Sequence, residues 1–560
     1  MLAQNNQLFA PLNKFAPVFR DYDFLTVDRH ECAADRADVD FIFEQLSKVP
    51  DPIKDAILKN AFKLKVRRER NLYILKTTAK IVNLLPEKLR HSMTVDDEDI
   101  RTIAKECADR CRRVALHHNV KGQKNSQGEI FESNAQDIYE HLTDYVTSFH
   151  LKAININTKG ITLIGAIKRM MDKHWWSRRL RKLFNQAYEQ AAIELTLVSK
   201  YKQMYASDLT VKKRKQQKLR NEQMLSSMKI INDIGQQYSL KELSDLNVSN
   251  PKVRKAELMV RLRGFEELSK SHDHQGIFIT ITCPSKYHAV YSKSGQRNPK
   301  YQSFTPYQAN QYLCNVWSRI RAEWNRKDIK PYGFRVAEPQ HDGTPHWHIL
   351  LFTEKHHIDE VKSVVSHYAL QEDGDEKGAL ENRCDFKLID PKKGSATGYI
   401  AKYVSKNIDG EGLDKGVYGE DPITAAQRVD AWASCWCIRQ FQQIGGASVS
   451  VWRELRRIKK VLGVDSLIEK ARQAADESKW GDYINAMGGV FAKRKDQLLT
   501  LAYEQAHDTE TGECKLGHYD GNFIQTIKGL MFKGQMITTR FFNWRLERTN
   551  EVCFNLEFCK

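Results

Sequence analysis

Two apolar runs joined by a turn-forming segment constrain this chain more than any other feature. Tyr332-Gly-Phe-Arg-Val-Ala-Glu338 and His346-Trp-His-Ile-Leu-Leu-Phe-Thr353 flank Pro339-Gln-His-Asp-Gly-Thr-Pro345. The Pro, Asp and Gly between them are residues that reverse a chain, so consecutive strands in a hairpin are expected, with Glu338 brought beside the histidines. Side chains alternate along a strand, which points His346 and His348 to one face and Trp347 to the other. More alternating elements surround this hairpin. Gly276-Ile-Phe-Ile-Thr-Ile-Thr-Cys283 reads as a β-branched strand stopped by Pro284, and Thr305-Pro306 opens a helix with a cap-and-proline signal. A helix near 357–370, a strand from Cys384 to Asp390 and a helix carrying Tyr399 and Tyr403 complete the unit. The fold class is α+β, a central antiparallel sheet with helices packed on it.

A length of 560 residues exceeds what one hydrophobic core usually organises. The boundaries drawn from pattern are 1–262 (mainly helical and basic), 263–444 (the α+β unit) and 445–560 (mainly helical, with Phe541–Leu546 irregular or extended). Thr94 and the acidic residues after it read as a helix start. Gln371–Gly378 reads as a surface loop. The 88 Lys and Arg against 70 Asp and Glu leave a net charge of +18, which favours a polyanionic partner, nucleic acid first. The bland alternative is charge that serves solubility. Two basic stretches could meet phosphates: Trp175-Trp176-Ser-Arg178-Arg179-Leu-Arg181-Lys182, whose rings could also stack on unpaired bases, and Lys212–Arg220, which reads equally well as a solvated helix face. Eleven scattered cysteines fit a reducing cytoplasm better than a disulfide framework. The sequence offers no leader-like start and no apolar run long enough for a membrane, and no P-loop, so no nucleotide cofactor is expected and any unwinding would need a partner motor.

The candidate site joins the hairpin to the tyrosine helix. Tyr399 and Tyr403 at i, i+4 stand on one helix face, roughly 5–6 Å apart at Cβ. His346, His348 and a carboxylate leave open positions for a cation that grips a phosphate. Glu338 is the third ligand of choice, with His341 in the turn as its competitor; ligand type alone also admits zinc. Lys402 and Lys406 lie on the same short helix, where they could lower a phenol pKa or hold a phosphate. Each piece recurs by chance elsewhere, as His272-Asp-His274 and as the Tyr201/Tyr205 and Tyr287/Tyr291 pairs; the conjunction does not. Cys107, Cys111, His117 and His118 could be drawn as a zinc site, and Cys435-Trp-Cys437 as another, but buried core thiols are the better reading of both.

Ile277–Thr282, Glu338–His348 and Tyr399–Lys406 resemble, in that order, the three motifs of the rolling-circle replication initiators, the single-strand endonucleases with a His-hydrophobe-His motif. The Ala-Lys between the tyrosines makes the chain most similar to the replication gene A protein family of tailed phages and prophages. The resemblance implies a ferredoxin-like or palm-like sheet and a Mg2+ or Mn2+ ion at His346, His348 and Glu338. It implies a covalent 5′-phosphotyrosyl DNA intermediate, with Tyr399 and Tyr403 acting in turn. The partners it implies are single-stranded and origin DNA with a host helicase and polymerase, in the bacterial cytoplasm. A transposase or mobilisation relaxase with the same unit is a close alternative, and a non-catalytic basic DNA-binding protein a distant one.

Overall fold

A computed structural model describes residues 32–93, 95–121, 132–412, 414–415, 419–459, 466–508 and 511–548. The chain divides into two compact units, one formed by Met1–Leu197 with Gly517–Asn522 and the other by Val198–Leu516 with Phe523–Lys560.

The first unit is helical: α1 (Cys32–Leu46), α2 (Asp51–Ala61), α3 (Arg67–Val82), α4 (Asp97–Lys121), α5 (Glu132–Thr147), α6 (Leu163–Met170) and α7 (Lys173–Glu194). Asp96 caps α4, accepting from the backbone N–H of Glu98 at 2.7 Å and of Asp99 at 2.9 Å, while Thr94 lies outside the described residues. Cys107 and Cys111 face the core of this unit, where burial pushes the Cys111 thiol up to about 12 and Tyr145 donates to Cys107 Sγ at 3.6 Å. These are the packing cysteines that their helical spacing suggested.

The second unit contains α8 (Asp208–Ser226), β1 (Met228–Asn232), β2 (Gln237–Ser239), α9 (Leu240–Asp245), α10 (Pro251–Ser271), β3 (Gln275–Ile281), α11 (Pro306–Arg326), β4 (Tyr332–Pro339), β5 (Pro345–Thr353), α12 (Ile358–Leu370), α13 (Ala379–Asn382), β6 (Cys384–Leu388), α14 (Ala396–Ile408), α15 (Pro422–Trp436) and β7 (Phe441–Ile444). It continues with α16 (Val449–Leu455), α17 (Ser466–Asp476), α18 (Trp480–Ala486), β8 (Thr500–Gln505), β9 (Gln525–Phe532), β10 (Gln535–Thr538) and β11 (Trp544–Arg548). The central sheet has the order β6-β3-β5-β4-β7, every neighbouring pair antiparallel. The fold is thus mixed α+β with antiparallel sheets. Helix α11 starts where Thr305 and Gln308 form a reciprocal capping box around Pro306.

The strand period sorts the sheet's two faces. Trp347 on β5 meets α11, its indole N–H reaching Asn310 Oδ1 at 3.2 Å and its ring lying 6.5 Å from that of Trp317. The opposite face carries Phe278, Phe334, Val336, Leu350 and Phe352, buried against Leu258, Leu262 and Phe265 of α10 and Ile400 and Val404 of α14. Burying each of these large side chains contributes about 1.5–3 kcal/mol, so the two helices are fixed on this face chiefly by apolar area.

Several expectations are corrected. The boundary at 262/263 cuts through α10, whose residues on both sides of it share one core with the sheet. The boundary at 444/445 severs the sheet from Trp452, Trp480 and Tyr483, which pack in that same core. Among its described residues the last region is not mainly helical: β8, β9 and β10 form their own antiparallel sheet, and β11 pairs with β1, which lies in the region expected to be helical. The hairpin between β9 and β10 turns at Lys533 and Gly534, with φ of 44° and 83°. Positive φ at both central residues is the turn that matches strand twist, and Lys-Gly is a muted form of the usual Asn-Gly signal. The acidic loop is anchored rather than free. Glu372 and Asp373 pair with Lys286 at 2.7 and 3.0 Å, and Glu376 accepts from Arg383 at 2.9 Å.

Candidate active site

Register builds the site. Pairing of Glu338 with His346 and of Val336 with His348 across β4 and β5 puts the carboxylate and both imidazoles on the α14 face. The connecting turn is held from within. Asp342 is buried and accepts from Thr344 N at 3.0 Å, Ala289 N at 3.1 Å and His288 Nδ1 at 3.2 Å. Burial alone would raise its carboxyl, but His288 and these hydrogen bonds hold it well below the usual carboxylate range. Gly343 takes φ +85°, which a side chain would strain, and its carbonyl accepts from Trp432 Nε1 at 2.7 Å.

The three groups converge. His346 Nε2 and His348 Nε2 are 2.9 Å apart, Glu338 Oε2 lies 3.7 Å from His348 Nε2, and the three candidate ligand atoms fall within 4.8 Å of one another. Burial drives His348 down to about 3, helped by the nearby Lys406, and takes His346 well below its ordinary value. Both rings are therefore neutral near pH 7, with lone pairs to give. Thr280 Oγ1 sits 3.1 Å from His348 Nδ1, a contact that orients the ring and leaves Nε2 for the cluster, while His346 Nδ1 is buried without a hydrogen-bond partner. Two neutral imidazoles aimed at each other beside a buried carboxylate fit a divalent cation as a donor set. His341 is buried in the turn, where its carbonyl accepts from Tyr205 N at 3.3 Å, and it is not part of this trio. A second trio, Glu354, His356 and His357, is largely exposed on the surface after β5.

Helix α14, capped by Ser395, supplies the tyrosines. The Tyr403 ring lies 4.0 Å from His348 and 5.3 Å from Phe278; the Tyr399 ring is 4.7 Å from Phe278 and 6.4 Å from Tyr403. Both are half-buried and packed on the sheet core. Lys402 Nζ stands 4.9 Å from each tyrosine ring centre. Lys406 is buried and makes a 3.0 Å ion pair with Glu338 Oε2, and Asn407 donates its side-chain N–H to Glu338 Oε1. The two phenols have different neighbours. Burial pushes Tyr403 up, with Tyr399 and Glu338 adding to it, whereas Tyr399 shares a hydrogen bond with Lys387 of β6 that raises that lysine.

Thr280, Lys387, Asn407 and Tyr205 belong to this site without having been singled out for it in the sequence. Asn407 had a legible signal, because it stands one turn from Tyr403 next to Lys406. Tyr205 had none: its ring is fully buried 5.2 Å from Lys406 Nζ, and its hydroxyl donates to Glu420 at 2.9 Å, all from a loop distant in sequence.

The proposed stacking role of Trp175 and Trp176 is corrected. Trp176 is wholly buried and donates to the Met170 carbonyl at 2.7 Å, and Trp175 is covered by Arg179 at 4.5 Å, so neither ring is available to a base. Arg181 pairs with Asp97 at 3.0 Å; Arg178 and Lys182 are exposed on α7. In the other basic stretch, Arg214 and Lys218 pair with Asp430 at 2.8 and 2.9 Å, while Lys212 and Arg220 are exposed, as on a solvated helix face.

Fold and site define a mixed α+β protein with a histidine–carboxylate cluster facing two tyrosines, and the proteins it resembles carry replication in their names. It is 40% identical over 396 residues to the "Replication gene A protein" of Escherichia phage 186, covering 68% of this chain and 56% of that protein. It is 40% identical over 396 residues to the "Probable replication protein P12" of Pseudoalteromonas phage PM2 (69% of this chain, 60% of the relative), and 33% identical over 356 residues to a "Probable replication endonuclease from prophage-like region" of Salmonella paratyphi A (60% and 44%). The chain belongs to the bacteriophage replication gene A protein family, whose model matches residues 98–411. It spans about half the length of the relatives it matches. No solved structure matches it. Among the described residues no helix is long and apolar enough to cross a membrane.

Proposed function

We propose that this protein is a site-specific single-strand DNA endonuclease and strand transferase that initiates rolling-circle replication of a phage or prophage genome. One observation carries the reading: Tyr399 and Tyr403 stand on one helix, over the sheet face that bears His346, His348 and Glu338. The central sheet then corresponds to the ferredoxin-like or palm-like sheet of the single-strand endonucleases.

In this reading one phenol gives up its proton and its oxygen attacks the scissile phosphorus. The bond from phosphorus to the 3′ oxygen breaks, the released 3′ oxygen takes a proton, and the 5′ phosphate stays on tyrosine. Phenolate is a good leaving group, so the linkage remains exchangeable and the reaction needs no nucleotide cofactor. The second tyrosine cuts the regenerated origin, and the freed 3′ hydroxyl attacks the first phosphotyrosine to close a circle. Lys402, within reach of both rings, neutralises phenolate and phosphate charge alike. Lys406 and Asn407 hold Glu338 in place. His346, His348 and Glu338 would hold Mg2+ or Mn2+, which when bound supplies a Lewis acid for the non-bridging phosphate oxygens. Arg178 and Lys182 contact phosphates of origin DNA, while a host helicase and polymerase supply unwinding and synthesis in the bacterial cytoplasm.

The test is a covalent adduct. Labelled single strands from the genetic neighbourhood of this protein, mixed with the full chain and Mn2+ or Mg2+, should give a band that survives denaturing electrophoresis. The adduct should persist in Tyr399→Phe or Tyr403→Phe and vanish only when both are changed. An adduct that survives the double change sinks the choice of nucleophiles.

A further inference from the structure

We infer that the cleft at the β7 edge of the central sheet is a second nucleic-acid contact, one that holds the phosphodiester backbone of the single strand leading to or from the tyrosines. The cleft encloses about 610 Å³ and is lined by Arg261, Arg439, Arg453 and Arg494, with no acidic side chain among its lining residues. One carboxylate stands just behind it: Glu257 pairs with Arg453 at 2.7 Å and with Arg261 at 3.4 Å. Among the described residues Glu257 is the one carboxylate paired with these four guanidiniums, which leaves three positive charges in excess within this group. Arg439 and Arg494 are exposed, and among the described residues Arg439 has its Nε alone engaged, by the Phe441 carbonyl at 3.2 Å. Guanidinium forks of this kind match phosphate oxygens, and Gln442, Gln443, Gln497, Ser448 and Ser450 beside them offer further polar partners.

Its place on the sheet gives it a direction. Phe334 lines the cleft and Glu338 belongs to the site, both on β4 and both on the α14 face because they are an even number of residues apart. Four residues of strand span about 13 Å. The two places are also joined by contact: Gln440, between Arg439 and Phe441, donates to Asn407 Oδ1 at 3.3 Å, and Asn407 donates to Glu338. A strand with a phosphate at the tyrosines needs only a short extension along β4 to reach the arginines. Phe441 is half-buried at the cleft wall and can meet an unpaired base, which favours a single strand over a closed duplex. The inference rests on the proposed function for the identity of the bound strand, and not for the charge of the cleft.

The experiment is a salt titration with a fluorescein-labelled, mixed-sequence single strand and the full chain, read by anisotropy. Each phosphate contact on a single strand contributes about 0.7 to the slope of log affinity against log salt, so Arg439→Gln with Arg494→Gln should lower the slope by about 1.4 and weaken binding on the order of ten-fold near ~0.1 M salt. Lys493→Gln with Lys495→Gln removes the same charge from exposed residues outside the cleft and should leave affinity and slope unchanged. An unchanged slope in the arginine variant or an equal loss in the lysine variant would each overturn the inference. The adduct assay reports separately. Absence of an adduct from the wild-type chain would remove the endonuclease reading, while an arginine-specific loss of strand affinity would still establish the cleft.

Discussion

Replacing Lys406 by Met separates a structural from an incidental role for the Glu338–Lys406 pair. The two groups meet at 3.0 Å with side chains only 1% and 9% exposed, so neither charge is relieved by solvent. Removing one partner of a buried pair typically costs about 3–5 kcal/mol, since the remaining charge is left uncompensated. Here the Asn407 amide still donates to Glu338, and a hydrogen bond to a charged group retains roughly 1.5–3 kcal/mol, so the expected loss for Lys406→Met falls to about 1–3 kcal/mol. Glu338→Gln should cost a similar amount, because it strands a buried ammonium over the Tyr205 ring. The double variant removes both charges and should lose less than the sum, with a coupling energy of about 2 kcal/mol. Hydrogen–deuterium exchange of the β4 and β5 amides in metal-free buffer measures the opening of this unit independently of the first. Single variants that exchange like wild type, or a coupling below about 0.5 kcal/mol, would refute the reasoning.

Acid should act on this unit through its histidines. Because burial depresses His346 and His348 below the ordinary imidazole value of about 6.5, the unfolded chain binds more protons than the folded one between that value and the His348 value of about 3. Stability should hold above about pH 6.5 and decline as pH falls, and His346→Gln with His348→Gln should flatten the fall in melting temperature between about pH 7 and about pH 5. Trp176→Phe should cost about 1–3 kcal/mol in denaturant unfolding through the stranded Met170 carbonyl and lost area, with affinity for unpaired bases unchanged; lost affinity at full stability would reinstate a stacking role. Gly343→Ala forces a side chain into φ +85° with its Cβ 3.3 Å from the Tyr205 carbonyl, and should cost about 1–2 kcal/mol by urea unfolding; a neutral result would mean the turn is not held where it stands.

The sheet and its site were legible because they obey short periods. Alternation over Ile277–Ile281, Tyr332–Glu338 and His346–Phe352 placed each side chain on a face, and i, i+4 spacing brought Tyr399 and Tyr403 together on theirs. Contacts between segments far apart in sequence were not legible. Neither the arrival of Tyr205 beneath Lys406 nor the packing of Trp452 and Trp480 into the sheet's core follows any local rule. Trp175 and Trp176 show the converse error. Aromatics beside arginines look like a base platform in a sequence, yet the helix carrying them turns both rings inward and leaves Arg178 and Lys182 outside. The missed strands β1, β8 and β9 are short or carry polar residues on an exposed face, where the alternation is faint.

Trp347 sits between the two histidines and never faces the tyrosines. Its indole is enclosed on the far side of the sheet, hydrogen-bonded to Asn310 and lying 3.7 Å from the Arg335 guanidinium. A slip of β5 by one residue would have to drive that indole among the phenols and bury two imidazoles in an apolar layer. The residue with no part in the chemistry is therefore the key that admits only one alignment of the hairpin, and the position of a cation would be specified by a side chain that cannot touch it.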